Sequence, residues 1–148
     1  MEQNNITIEM ISLQGGLPLL EKPGIRIAGH ISAGFPSPAE EELRDIISLD
    51  DYLMPRPRSS FILRVSGDSM AGAGIMPDDL VIVERGRVPK NGDIVIAEID
   101  GNWVMKYFLK TRGRITLEAA NPRYQTIKPN MELRITGVVV ACVRKYGL

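Results

Sequence analysis

The sequence predicts a mainly β protein: a β-rich body over roughly residues 34–148, a few short helices, and an N-terminal arm. Three observations predict it. Runs of β-branched and aromatic residues recur from residue 60 onward, each about the length of one strand. Turn signals that join antiparallel neighbours separate those runs. Residues 1–24 behave differently, being broken at Gly15-Gly16, Pro18, Pro23 and Gly24, with only a weak alternation of Ile6, Ile8 and Met10.

Taken in order, Ile25, Ile27 and His30-Ile31 read as a short extended segment that leads into Ser32-Ala33-Gly34-Phe35-Pro36. Ser37-Pro38-Ala39-Glu40 has the form of a helix start, with Ser37 as cap, Pro38 at the first helical position and Glu40 completing a capping box. A second start lies at Ser48, with Asp51 three residues on and Pro55 ending the turn. Strands follow at residues 61–65, 80–83, 94–97 and 103–109. Asp100-Gly101 joins the last two, because both central positions of a type I′ turn need positive φ. Thr111-Arg112-Gly113 marks another turn before a strand at 115–118. Residues 133–143 read as one long strand or a bent pair, with Gly137 inside.

Composition narrows the function. The chain has 148 residues, enough for one domain with a real core plus an arm. Its 18 basic and 18 acidic residues cancel, which argues against a dedicated nucleic-acid binder but not against a role beside DNA through protein partners. The single Cys142 rules out an intrachain disulfide and a Cys-based zinc site, and fits a reducing cytosol. The single His30 excludes metal sites that need two or three imidazoles, and any Ser-His catalyst would have to use it. The start MEQNN has no basic n-region, and the longest near-apolar run, 135–143, is far short of the ~20 residues of a membrane helix. The expectation is a soluble, cytoplasmic protein with no membrane contact, no metal and no cofactor.

Two segments carry candidate chemistry. Ser66-Gly67-Asp68-Ser69-Met70 follows a strand and is followed by Ala71-Gly72-Ala73-Gly74, so a Gly-flanked turn can present the Ser69 hydroxyl beside outward-facing N–H groups. Taken alone, the same segment is also an ordinary turn. A nucleophilic serine needs a base, and with His30 in the arm the alternative is a lysine kept neutral by burial. At an ordinary pKa near 10.4, only about one lysine in 10³ is neutral at pH 7. Lys106 is the candidate: alternation puts Val104, Lys106 and Phe108 on one face of its strand and Trp103, Met105, Tyr107 and Leu109 on the other. Lys90 in a turn and Lys110 at a loop start look ordinary. The alternation fits equally well a lysine near a strand edge that snorkels to water.

Together the motifs resemble the LexA/UmuD self-cleaving serine proteases. The matching residues are Ser66-Gly67-Asp68-Ser69-Met70, Gly74-Ile75, Asp78-Asp79-Leu80, Asn91-Gly92-Asp93-Ile94-Val95 and Val104-Met105-Lys106. The separation from Ser69 to Lys106 is the family's Ser-Lys spacing. Ala33-Gly34 looks like its scissile bond, and Phe35-Pro36-Ser37-Pro38-Ala39 is similar to the UmuD branch. The resemblance covers about residues 25–148. It implies a LexA/signal-peptidase-like β-rich catalytic domain, with Ser69 as nucleophile and Lys106 as general base. The Asp68 and Ser69 backbone N–H groups would be the oxyanion donors. Cleavage at Ala33-Gly34 would release residues 1–33 and leave 34–148 as a peptidase and dimerisation domain.

The resemblance further implies a homodimer and an SOS mutagenesis role. A RecA-type recombinase filament on single-stranded DNA would promote cleavage, and a Y-family error-prone DNA polymerase would be the partner of the product. The residues before the cut are too few and too Gly/Pro-broken for a helix-turn-helix domain, so direct sequence-specific DNA binding is not implied. Asn102 stands where several relatives carry an acidic residue. Dimerisation is expected through the C-terminal strand, roughly 133–145. The remaining side chains read as structural: Met70, Met76 and Cys142 as packing residues, and Glu40-Glu41-Glu42 as a solvated helix face. The runner-up function is a non-catalytic dimerisation or regulatory module derived from a repressor C-terminal domain.

Overall fold

The computed structural model describes residues 25–26, 33–34, 46–129 and 132–147. The alternation in the first 24 residues, His30, the helix start at Ser37 and the Glu40-Glu41-Glu42 run lie outside them. The described residues fall into two units that meet in sequence at Pro55 and Arg56.

In the first unit, β1 (Ile25–Arg26) pairs antiparallel with β2 (Ile46–Ile47). Helix α1 (Leu49–Leu53) then starts where the sequence placed it. The Ser48 side chain accepts from the Asp51 N–H at 3.4 Å, satisfying one of the free donors of the first turn. Ala33 and Gly34 are exposed and lie in a bend.

The second unit is built on one antiparallel sheet of six strands. They are β3 (Ser60–Arg64), β4 (Leu80–Glu84), β5 (Ile94–Ile99), β6 (Asn102–Thr111), β7 (Arg114–Glu118) and β8 (Leu133–Val143), in the order β3-β4-β8-β5-β6-β7. The mainly β fold is therefore as the sequence predicts. The β5–β6 turn uses Asp100 at φ 50° and Gly101 at φ 77°, and the β6–β7 turn uses Arg112 at φ 51° and Gly113 at φ 77°. Both are two-residue turns whose positive φ matches the twist of antiparallel strands.

Apolar side chains pack on both faces of the sheet. Ile96 of β5 joins Leu63, Val81, Val83, Met105 and Met70 in one cluster. Its neighbours Val95 and Ala97 join Phe108, Leu117 and Val138 in the other. Strands buried on both faces explain the near-continuous apolar runs, which strict alternation would not give.

β8 is one strand, not a bent pair, and it is made irregular by two bulges. Its partners step from Gly137 to Ile135 opposite Ile96 and Ala97, and from Ala141 to Val139 opposite Ile82 and Val83. Each extra residue flips the side-chain parity, which keeps Leu133, Ile135 and Val138 beside the same cluster. β4 takes one edge of β8 and β5 the other. The β4 ladder covers residues 138–143 of β8 and the β5 ladder covers residues 133–138, so each half of the strand is paired along one edge within the chain. Two expectations are corrected: Cys142 and Met76 are exposed rather than packed. Cys142 lies near the end of β8 opposite Val81, with its Sγ 3.5 Å from Asp79 Oδ2, and Met76 lies in the turn before β4.

Gly137 marks a close approach: a Cβ there would lie 2.6 Å from Val83 Cγ1 and 2.8 Å from the Glu84 carbonyl oxygen. Gly137→Ala should lower unfolding free energy by about 1–3 kcal/mol, read as a drop in the urea midpoint.

Asp79, buried in the turn before β4, is the other fixed point. Arg144 grips its carboxylate through Nε at 2.7 Å and Nη2 at 2.6 Å, while the Met76 N–H donates at 2.8 Å. These bonds, Arg144 first, outweigh burial and hold the carboxyl at about 2. A folded-state pKa below the unfolded one stabilises the protein above pH 4, and the gain is lost as pH falls through about 2. That loss should be roughly 2 kcal/mol, and Arg144→Gln should flatten this part of a pH titration of stability.

Candidate active site

Ser69 stands in the loop between β3 and β4. The chain leaves β3 with the Val65 N–H bonded to the Asp79 carbonyl at 2.8 Å, then turns at Gly67 with φ 79°. Met70 follows Ser69 and is buried in the core, which anchors the loop from beneath. A 3-10 turn at Ala71–Ala73 then ends on Gly74 in the left-handed region.

Lys106 lies in the middle of β6, opposite Val95 of β5. β6 is internal to the sheet, and Met105 and Phe108 belong to the two opposite clusters. The lysine is therefore 4% exposed and does not snorkel. Its Nζ donates to Ser69 Oγ at 3.0 Å and to the Met105 carbonyl at 3.2 Å. Burial pushes its pKa down, and among the described residues no carboxylate opposes that shift. Once the lysine is neutral, the same contact reverses, with the Ser69 hydroxyl donating to the Nζ lone pair. Asn102 takes no part: it is exposed, and its amide donates to the Asp100 carbonyl at 3.2 Å.

Asp68 stands beside the serine in the same turn. It accepts from the Tyr124 hydroxyl at 2.5 Å and is paired with Arg123. Its pKa is lowered by the Tyr124 bond first, against some desolvation, and then by Arg123 and its own backbone N–H. The Asp68 carbonyl accepts from the Asn121 amide at 3.0 Å. The Ser69 N–H has no acceptor among the described residues. Asn121, Arg123 and Tyr124 escaped sequence reasoning, because nothing in their spacing points to Ser69.

The structure thus brings Ser69, Lys106 and Asp68 together in one unit. Ala33 and Gly34 belong to the other unit, and His30 lies outside the described residues. Among the described residues no group of three or more His, Cys, Asp and Glu could hold a metal ion. No described helix is long and apolar enough to cross a membrane.

A buried lysine is a cost that the fold carries. The unfolded chain binds its proton more tightly, so stability should rise with pH through the window between the folded and unfolded pKa values. Lys106→Met should stabilise the protein by ~1–3 kcal/mol near neutral pH, with the gap from wild type closing toward pH 10 in thermal melts.

Residues 26–140 match the family model described as Peptidase S24-like. Protein SamA of Salmonella typhimurium is 43% identical over 113 residues, which covers 76% of this chain and 79% of that protein. Protein ImpA of Escherichia coli is 41% identical over 120 residues, covering 80% and 81%. The LexA repressor of Carboxydothermus hydrogenoformans is 36% identical over 141 residues, covering 94% and 67%.

Proposed function

The chain belongs to the Peptidase S24-like family, and from that premise we propose that it is a self-cleaving serine endopeptidase cutting its own Ala33–Gly34 bond. The observation that carries this reading is the 3.0 Å contact between Ser69 Oγ and the buried Lys106 Nζ, with no carboxylate paired to the ammonium among the described residues.

In the proposed reaction Ser69 Oγ attacks the Ala33 carbonyl carbon, and its proton passes to neutral Lys106 Nζ. The Asp68 and Ser69 N–H groups hold the oxyanion. As the C–N bond breaks, the Lys106 ammonium returns the proton to the Gly34 nitrogen, which leaves as the new amine. Water then attacks the Ala33 ester on Ser69, with Lys106 taking its proton, and releases residues 1–33 with a free carboxylate. A substrate tethered to its enzyme needs little binding energy, because proximity supplies much of the rate.

The biological reading follows the relatives. The product, residues 34–148, acts as a homodimer and as a UmuD-like subunit of a Y-family error-prone translesion polymerase in the SOS response. A RecA-type filament on single-stranded DNA promotes its cleavage in the cytoplasm.

Rising pH should speed self-cleavage without any partner, because it deprotonates Lys106. Intact mass after incubation at pH 7 and pH 10 reads this directly. The expected result is a fragment beginning at Gly34, faster at pH 10, and slowed on the order of 10⁴-fold in Ser69→Ala and Lys106→Ala. A single uncut mass under every condition, with a recombinase filament added as well, would leave a dimerisation or regulatory module as the better reading.

A further inference from the structure

Residues 120–124 hold the serine turn through its neighbour rather than through the serine itself. Asn121 is locked by its own local bonds: the Arg123 N–H donates to its Oδ1 at 3.0 Å, and the Tyr124 N–H donates to its carbonyl at 3.1 Å. With Oδ1 occupied in this way, Nδ2 is left to donate to the Asp68 carbonyl at 3.0 Å. The Ala71 N–H reaches the same oxygen at 3.1 Å, and the Gly72 N–H reaches the Ala120 carbonyl at 2.6 Å. Arg123 and Tyr124 fix the Asp68 carboxylate.

A trans peptide is planar, with its C=O and the following N–H pointing opposite ways. Pinning the Asp68 carbonyl therefore sets the direction of the Ser69 N–H, which has no acceptor among the described residues. We propose that Asn121 is a positioning residue that aims the Ser69 N–H at the oxyanion, with Arg123 and Tyr124 keeping the Asp68–Ser69 peptide from rotating. This rests on the protease reading above, and it gives residues 120–124 a role in rate rather than only in holding a loop.

The groups around Lys106 separate the two roles. Ser69 is bonded to it, the Tyr124 ring centroid lies 5.8 Å from Nζ, and Asp68 is bonded to the Tyr124 hydroxyl and paired with Arg123. Burial lowers the Lys106 pKa, so Asn121 can affect its titration only if the loop opens. Asn121→Asp keeps an acceptor for the Arg123 N–H but replaces the donor that faces Asp68, and Asn121→Ala removes the side chain.

The test is the pH–rate profile of self-cleavage in the full chain, beside the labelling rate of Ser69 by a fluorophosphonate probe. Both variants should lower the high-pH plateau about tenfold to hundredfold and slow labelling in parallel, with the pH midpoint unmoved. An upward shift of the midpoint would mean an opened loop and a rehydrated lysine, which would overturn the positioning role. Wild-type rates in both variants would overturn it as well. A wild-type chain that neither cleaves nor labels at any pH would overturn the protease reading, and this inference with it.

Discussion

The rest of the second unit is arranged around one unfavourable fact, a buried lysine that no carboxylate among the described residues pairs with. An ammonium inside a protein loses most of its hydration, and here the Ser69 hydroxyl, the Met105 carbonyl and the face of the Tyr124 ring stand in its place among the described residues. An isolated strand would let such a side chain swing to water. β6 cannot, because β5 and β7 hold its two edges and separate apolar clusters press on its two faces. The penalty falls on the charged form, so the strain of burial appears as basicity withheld from the lysine. A fold that relaxed around Lys106 would be more stable and less able to take a proton from Ser69.

The serine loop answers a second constraint, that a nucleophile must be held without being buried. Beneath it, Met70 fills the core. On one side, the Arg144–Asp79 pair fastens the return of the chain into β4. On the other, Asn121, Arg123 and Tyr124 grip Asp68. These anchors use backbone carbonyls and neighbouring carboxylates, so the Ser69 hydroxyl is spared for Lys106. Gly72 is part of the same economy: a Cβ there would run into the Ala120 carbonyl that its N–H meets. Such close backbone contact leaves the loop little freedom to drift away from β6.

Much of this was legible from residue order, because its causes are local. The Ser48 cap is a matter of one side chain and a few neighbouring bonds. The two hairpin turns follow from positive φ at Asp100-Gly101 and Arg112-Gly113. The strands before and after them follow from β-branched composition. Reading failed where a residue's fate depends on which strand lies next to it. The apolar residues of 133–143 read as one continuous run, whereas the sheet divides it, β5 pairing with its first half and β4 with its second. Cys142 shares that apolar run yet is exposed near its end, and Met76 is exposed in a turn.

By itself, then, the order of residues determined a β-rich body, its hairpins, and a serine turn and a lysine strand with the spacing of a known family. Only the tertiary structure decided that Lys106 is buried rather than snorkelling, since burial depends on strands distant in sequence closing both edges and both faces of β6. It likewise decided that Asn121, Arg123 and Tyr124 belong beside Ser69. Hydrogen bonds such as the one from Asn121 to Asp68 join positions 53 residues apart, and no periodicity along the chain encodes them.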